Sequence, residues 1–156
     1  MLQALAKELQ LRRSELQNKT IETIYFGGGT PSLLTIDELR FLIDEVYTNF
    51  KIIDNPEITL EANPDDLTKN QILELSRSPI NRLSIGVQSF FEDDLKSMNR
   101  AHNATEAKDC LVEATKHFDN ITIDLIYGIP NMSIEKWNKN LQLAFSFGVN
   151  HISSYA

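Results

Sequence analysis

Hydrophobic positions along this chain follow two alternating rhythms. Leu2, Leu5, Leu9 and Leu16 share one stripe, with Lys7, Glu8, Arg12, Arg13 and Glu15 off it, and this spacing predicts an amphipathic helix over 2–18. Residues 20–26 then read as a strand. Thr35 and Glu38 form a capping box that opens a helix through Leu39, Leu42, Val46 and Phe50. A second strand spans 57–62 and closes in the turn cluster Asn63-Pro64-Asp65-Asp66. Thr68 and Gln71 make a second capping box, for a short helix ending before Ser78-Pro79. Residues 82–88 are a third strand, and Ser89 with Glu92 reads as a third box, for a helix to Met98. Asn103 and Glu106 cap a helix over 104–118 whose apolar face is Ala107, Cys110, Leu111, Ala114 and Phe118. A fourth strand runs 121–127. Ser133 opens a helix with Ile134, Trp137, Leu141, Ala144 and Phe145 inward and Gly148 just past its end. A fifth strand runs 151–155.

Regular alternation of strand and helix predicts a parallel sheet with right-handed crossovers, hence the α/β class. Two architectures fit: an open doubly wound sheet, or part of a β/α barrel. No capping residue precedes the first helix and the last strand has no helix after it. The expectation is a central fragment of one domain, residues 1–156, cut at both ends.

The 156 residues are 42% hydrophobic and 24% charged, enough for one domain with a real core. A net charge of −7 argues against nucleic acid and anionic membrane as main partners. The sequence holds no apolar run long enough to span a membrane and no signal-peptide pattern, so the expected location is the cytoplasm. The single cysteine, Cys110, forms no internal disulfide, holds no metal cluster alone, and falls at helical spacing beside Ala107, Leu111 and Ala114, as a buried small hydrophobe does. His102, His117 and His151 lack ligand spacing and read as surface or core residues.

Candidate chemistry gathers at strand ends. Gly27-Gly28-Gly29-Thr30-Pro31 follows the first strand. Consecutive glycines let backbone approach a ligand or adopt positive φ. The shelf is neither Gly-x-Gly-x-x-Gly nor a P-loop, and serves as a tight turn or as a backbone-mediated ligand site. Glu61, Gln88 and Asp124 interrupt apolar strands near their C-terminal ends, where α/β proteins place ligands. Carboxylates suit ribose hydroxyls or an ammonium, and Arg100 offers a fork for a ligand carboxylate. The alternatives are local: Glu61 capping the next turn, Asp124 pairing with Arg82 or Arg100, Gln88 satisfying a loop. Four strand ends lining up together favour a ligand site. An unrelated β/α protein using the shelf for phosphate is a rival, disfavoured because no basic residue sits beside the shelf.

Thr23–Ser32, Glu57–Pro64, Asn81–Phe90 and Asp124–Pro130, in this order and spacing, resemble the radical S-adenosylmethionine (SAM) family of oxygen-independent coproporphyrinogen III oxidases and their heme-chaperone relatives. The resemblance extends from Leu2 to the end. It implies a partial β/α (TIM-like) barrel, with Gly27, Gly28, Gly29 and Thr30 holding the methionyl end of S-adenosyl-L-methionine. Glu61, Gln88, Arg100 and Asp124 match SAM-contacting positions, and Ala156 matches a further backbone contact. The family's [4Fe–4S] cluster is held by Cys-x-x-x-Cys-x-x-Cys, and those ligand cysteines are absent from this chain. The implied partners are a porphyrinogen or heme and an electron donor. Glu61-Ala62-Asn63-Pro64 and Gln88-Ser89-Phe90 look more like the chaperone branch, which binds heme without oxidase activity; the oxidase turns propionates into vinyl groups. Missing barrel strands would leave sheet edges that dimerise artefactually.

Overall fold

Where polar and apolar residues alternate within each strand, the two faces of the sheet divide the work of the fold. The computed structural model describes residues 1–16 and 19–156. Its elements are α1 (Leu2–Leu11), β1 (Thr20–Phe26), α2 (Ile36–Asn49), β2 (Lys51–Ala62), α3 (Lys69–Ser76), β3 (Arg82–Gln88), α4 (Glu92–Ser97), α5 (Ala104–Ala114), β4 (Ile121–Ile126), α6 (Ile134–Ser146) and β5 (His151–Tyr155). All neighbouring strands pair in parallel, in the order β1-β2-β3-β4-β5. A doubly wound sheet reverses its strand order at a switch point. This sheet does not, so it is an arc of a β/α barrel.

One face of the arc carries Ile58, Leu60, Leu83, Ile85, Val87, Ile121, Ile123 and Leu125, all buried. Helices α2, α3 and α5 seal it with Leu39, Ile43, Ile72, Leu75, Ala107 and Leu111. The other face carries Thr59, Glu61, Ser84, Thr122, Asp124 and Ser153, brought level by the pairings Glu61↔Ser84, Ser84↔Thr122 and Asp124↔Ser153. Low on this face the Arg82 guanidinium bonds Glu57, Thr59 and Thr122.

Three capping boxes form as expected, at Thr35/Glu38, Thr68/Gln71 and Asn103/Glu106. The box expected at Ser89 and Glu92 does not. Ser89 is fully buried and bonds Asp94 and Asn140, while Glu92 accepts from the Ala104 N–H, leaving α4 with Phe91 at its N-cap and no side-chain cap. The first helix is shorter than 2–18: α1 ends at Leu11, a 3-10 turn spans Arg13–Leu16, and Gln17 and Asn18 lie outside the described residues. Its leucine stripe borders an apolar groove of about 890 Å³ between α1, β1 and α2 instead of a closed core, and only Ala6 is buried. Strand β2 begins at Lys51, earlier than the turn-like Asp54-Asn55-Pro56 suggests. A bulge absorbs the difference: Ile21 pairs with Ile52 but Thr23 with Glu57. Helix α5 stops at Ala114, short of 118, although Phe118 still packs into the core. Strand β4 ends at Ile126. In α6 Trp137, Leu141 and Ala144 face the core as expected, but Ile134 and Phe145 are exposed and Asn140 is fully buried. Among the described residues no helix is long and apolar enough to cross a membrane.

Candidate functional site

At the C-terminal ends of the strands the polar face opens into a cleft of about 180 Å³. Glu61, Gln88, Arg100 and Asp124 all line it, as do Gly29 and Thr30 of the shelf. Gly27 and Gly28 line the apolar groove on the other side; Gly29, Thr30 and Pro31 border both spaces, so the shelf is the wall between them. Ala156 does not line the cleft and lies beyond β5, beside Gly128.

The shelf is built from backbone requirements. Gly28 and Gly29 adopt φ of +79° and +64°, the left-handed region that glycine enters freely. Gly27 is constrained by space: a Cβ there would lie 2.6 Å from Tyr25 Cε1 and 3.0 Å from Glu61 Cδ. Glu61 reaches back to the shelf and does not cap the turn after β2. Its Oε1 accepts from the Tyr25 hydroxyl at 2.7 Å and its Oε2 from the Gly28 N–H at 3.1 Å. Burial, reinforced by this bond to Glu61, raises the Tyr25 phenol above its usual range.

Across the cleft Asp124 pairs with neither Arg82 nor Arg100, and no lysine or arginine bridges it among the described residues. Burial first, and the Glu61 charge second, push its carboxyl above the usual value. Two half-buried carboxylates facing one space call for a ligand that brings donors or positive charge.

Arg100 owes its place to the end of α4. Asn99 takes φ of +52°, its N–H donating to Lys96 O and the Arg100 N–H to Leu95 O, the paired bonds of a Schellman cap. The guanidinium Nη2 donates to Asn63 Oδ1 at 2.9 Å, while Nε is buried with no hydrogen-bond partner among the described residues. Gly86 leaves room for this convergence: its missing Cβ would meet Gln88 Nε2 at 2.9 Å, Arg100 Nη2 at 3.5 Å and Asn63 Oδ1 at 3.6 Å. Ser84, Gly86 and Asn63 are cleft residues that the sequence reading did not name. Their signal was present: Ser84, Gly86 and Gln88 occupy alternate positions of a strand whose other face is Leu83, Ile85 and Val87.

The donor set can be tested against the groups implied by the resemblance. An unpartnered guanidinium nitrogen, two carboxylates and exposed glycine backbone fit a zwitterionic, hydroxyl-bearing molecule such as SAM. A [4Fe–4S] cluster finds no seat in these residues. Cys110 is the chain's one cysteine, it lies on α5 in the helix layer, and burial pushes its thiol up to about 12. Among the described residues no group of three His, Cys, Asp or Glu side chains can hold a metal ion.

The Radical SAM superfamily matches residues 5–144. The heme chaperone HemW of Buchnera aphidicola (subsp. Acyrthosiphon pisum) is 36% identical over 154 residues, covering 99% of this chain and 41% of the relative. The heme chaperone HemW of Escherichia coli K12 is 35% identical over 155 residues, again 99% of this chain and 41% of the relative. The chain thus spans about two fifths of the curated relatives it matches. Among solved structures, the coproporphyrinogen III oxidase HemN from Escherichia coli, a radical SAM enzyme, superimposes with a TM-score of 0.85 at 27% identity, over 99% of this chain and 36% of that one. The archaeal Elp3 of Methanocaldococcus infernus shares the fold, with a TM-score of 0.74 at 18% identity over 97% of this chain and 41% of that one.

Proposed function

The chain belongs to the radical SAM superfamily, and from that premise we propose that its cleft is the SAM site of a heme-chaperone-type protein, with residues 1–156 as the central part of one barrel. The observation that carries the reading is the convergence of Glu61, Gln88, Arg100 and Asp124 on one space beside a glycine wall, with Arg100 Nε buried and unpartnered among the described residues. Arg100 takes the methionyl carboxylate as a charge-assisted fork. Glu61 and Asp124 accept from the ligand's ammonium or ribose hydroxyls. Apart from the Gly28 N–H, which Glu61 holds, the shelf offers the ligand backbone groups with no glycine side chain in the way. Arg82, already committed to Glu57, Thr59 and Thr122, braces the floor beneath and stays out of binding.

In this superfamily SAM, together with a reduced [4Fe–4S] cluster, supplies one-electron chemistry that abstracts hydrogen atoms. The residues of this chain bind and orient SAM and do not furnish the cluster. Isothermal titration of the chain with SAM tests the site: saturable binding that weakens at least about tenfold in Arg100→Met, a loss of about 1.4 kcal/mol, is expected. Equal affinity in the variant overturns the assignment.

The heme branch is supported by the names of the curated relatives and by Gln88-Ser89-Phe90. Stoichiometric heme binding without decarboxylation, measured on a protein of the relatives' full length, is the expected result. The second reading, the oxidase, rests on the close superposition with HemN. It requires an electron donor and predicts vinyl product from coproporphyrinogen III.

A further inference from the structure

We propose that His102 is a positioning residue for the cleft: it holds the left-handed turn at Gln88 that aims the Gln88 amide beside Arg100. The proposal rests on the reading of the cleft as a SAM site.

Gln88 is a non-glycine residue with φ of +67°. The Ser89 N–H donates across it to Val87 O at 2.8 Å, the hydrogen bond of a γ-turn with positive φ, a strained form. Strain of this kind persists only where the surroundings over-determine it. Here they do. Val87 O accepts a second bond from His102 Nε2 at 3.0 Å. A carbonyl oxygen only accepts, so Nε2 carries a proton and is the donor. Downstream the Phe90 N–H donates to Asn140 Oδ1 at 2.8 Å, and the Phe91 N–H to Ser89 Oγ at 3.2 Å. The turn is pinned on both sides of Gln88.

The His102 side chain is completely buried and does not line the cleft. It acts through what it touches. Its Nδ1 faces Asp65 Oδ1 at 3.6 Å, on the turn after β2 that also carries Asn63. Asn63 Oδ1 in turn accepts from Arg100, two residues before His102. One ring therefore stands between the two walls that present Gln88 and Arg100. An aliphatic residue would fill the same volume without the cost of burying a polar ring; the bond to Val87 O gives the ring its reason.

Glutamine and asparagine separate the two ring nitrogens, since a Gln amide nitrogen falls near Nε2 and an Asn one near Nδ1. The chain and its variants His102→Gln, His102→Asn, Gln88→Gly and His102→Asn/Gln88→Gly are titrated with SAM, and exchange of the Ser89 amide is followed by NMR. Asparagine should weaken SAM about tenfold and speed Ser89 exchange by a similar factor, as loss of one buried bond does, and glutamine should restore most of both. In the Gln88→Gly background, asparagine should add less than about a twofold loss, because glycine holds the positive-φ turn without strain and has no side chain to aim. Should His102→Asn not fold, His102→Phe keeps the ring volume without the donor and is read in the same way. Unchanged Ser89 exchange in the variants lacking the donor overturns the proposal, as does an undiminished asparagine effect in the Gln88→Gly background. Failure of both donor-less variants to fold while glutamine folds also overturns it, since the ring is then general scaffolding. If the unaltered chain binds no SAM, the site assignment falls, and faster Ser89 exchange in His102→Asn still upholds the positioning role.

Discussion

The Tyr25 hydroxyl donates to Glu61 Oε1 across 2.7 Å, joining the C-terminal end of β1 to the end of β2 beside Gly27. The other Glu61 oxygen holds the Gly28 N–H, so one carboxylate ties down a strand end and a glycine shelf together.

Removing the two ends of this link has unequal effects. Tyr25→Phe deletes one bond at an exposed ring and leaves Glu61 on Gly28, so urea unfolding should register a loss below about 1 kcal/mol. Glu61→Gln removes the charge that a ligand ammonium or hydroxyl meets. SAM titration should show at least about a tenfold loss for it, and a smaller one for Tyr25→Phe.

Asp124 sets a pH dependence. Its carboxyl lies above the ordinary 3.8 in the folded protein, chiefly through burial and then through Glu61. The folded state therefore holds this proton more tightly than the unfolded chain does. Ionisation of Asp124 costs stability, beginning as pH rises through the ordinary carboxylate range and complete above the raised folded value. Asp124→Asn should be more stable than the parent at about pH 7, with the gap closing as pH falls below the ordinary Asp value near 3.9. Urea midpoints across that range check it, and a constant gap would refute the assignment to this group. The same variant should bind SAM more weakly.

The shelf glycines fail in different ways. Gly28→Ala forces an L-residue to φ of +79° in open space, a pure backbone cost of about 1–2 kcal/mol that unfolding experiments read. Gly27→Ala meets no such torsional problem but drives a methyl into Tyr25 and Glu61, both movable side chains. It should keep stability within about 1 kcal/mol of the parent and show its damage as at least about a tenfold loss in SAM affinity.

Cys110 should be inert in the folded protein. With its thiol at about 12, only about 10⁻⁴ of it is thiolate near pH 8, and the side chain is buried on α5. Iodoacetamide should label it only after denaturant is added. Rapid labelling of the native protein would mean that α5 opens locally.

Much of this molecule is legible from local chemistry, because strands, boxes and the glycine shelf each depend on residues a few positions apart. Strand β3 falls at 82–88 as its pattern says, and Thr35, Thr68 and Asn103 cap the helices they precede. The misreadings involve partners far along the chain. Ser89 forgoes its N-cap role because Asn140, about fifty residues on, and Asp94 compete for its hydroxyl. Asn140 turns inward on α6 beside Trp137 and Ala144 and gives the Phe90 N–H its acceptor, a role its own helix does not reveal. The cleft was half visible: Glu61, Gln88 and Asp124 stand out as polar residues at strand ends, with Arg100 in the segment after α4. Ser84 and Gly86 are harder to see, because a parallel strand is ordinarily apolar on both faces, whereas in β3 only the helix-covered face is.

The consecutive strand order has a consequence for how the chain assembles. Every strand pairs with the one made just before it, so each addition closes only a single crossover. Such a sheet can lengthen from its N-terminal end while synthesis proceeds, each new strand finding a finished edge to join. A sheet with a reversed insertion must instead wait for a distant segment.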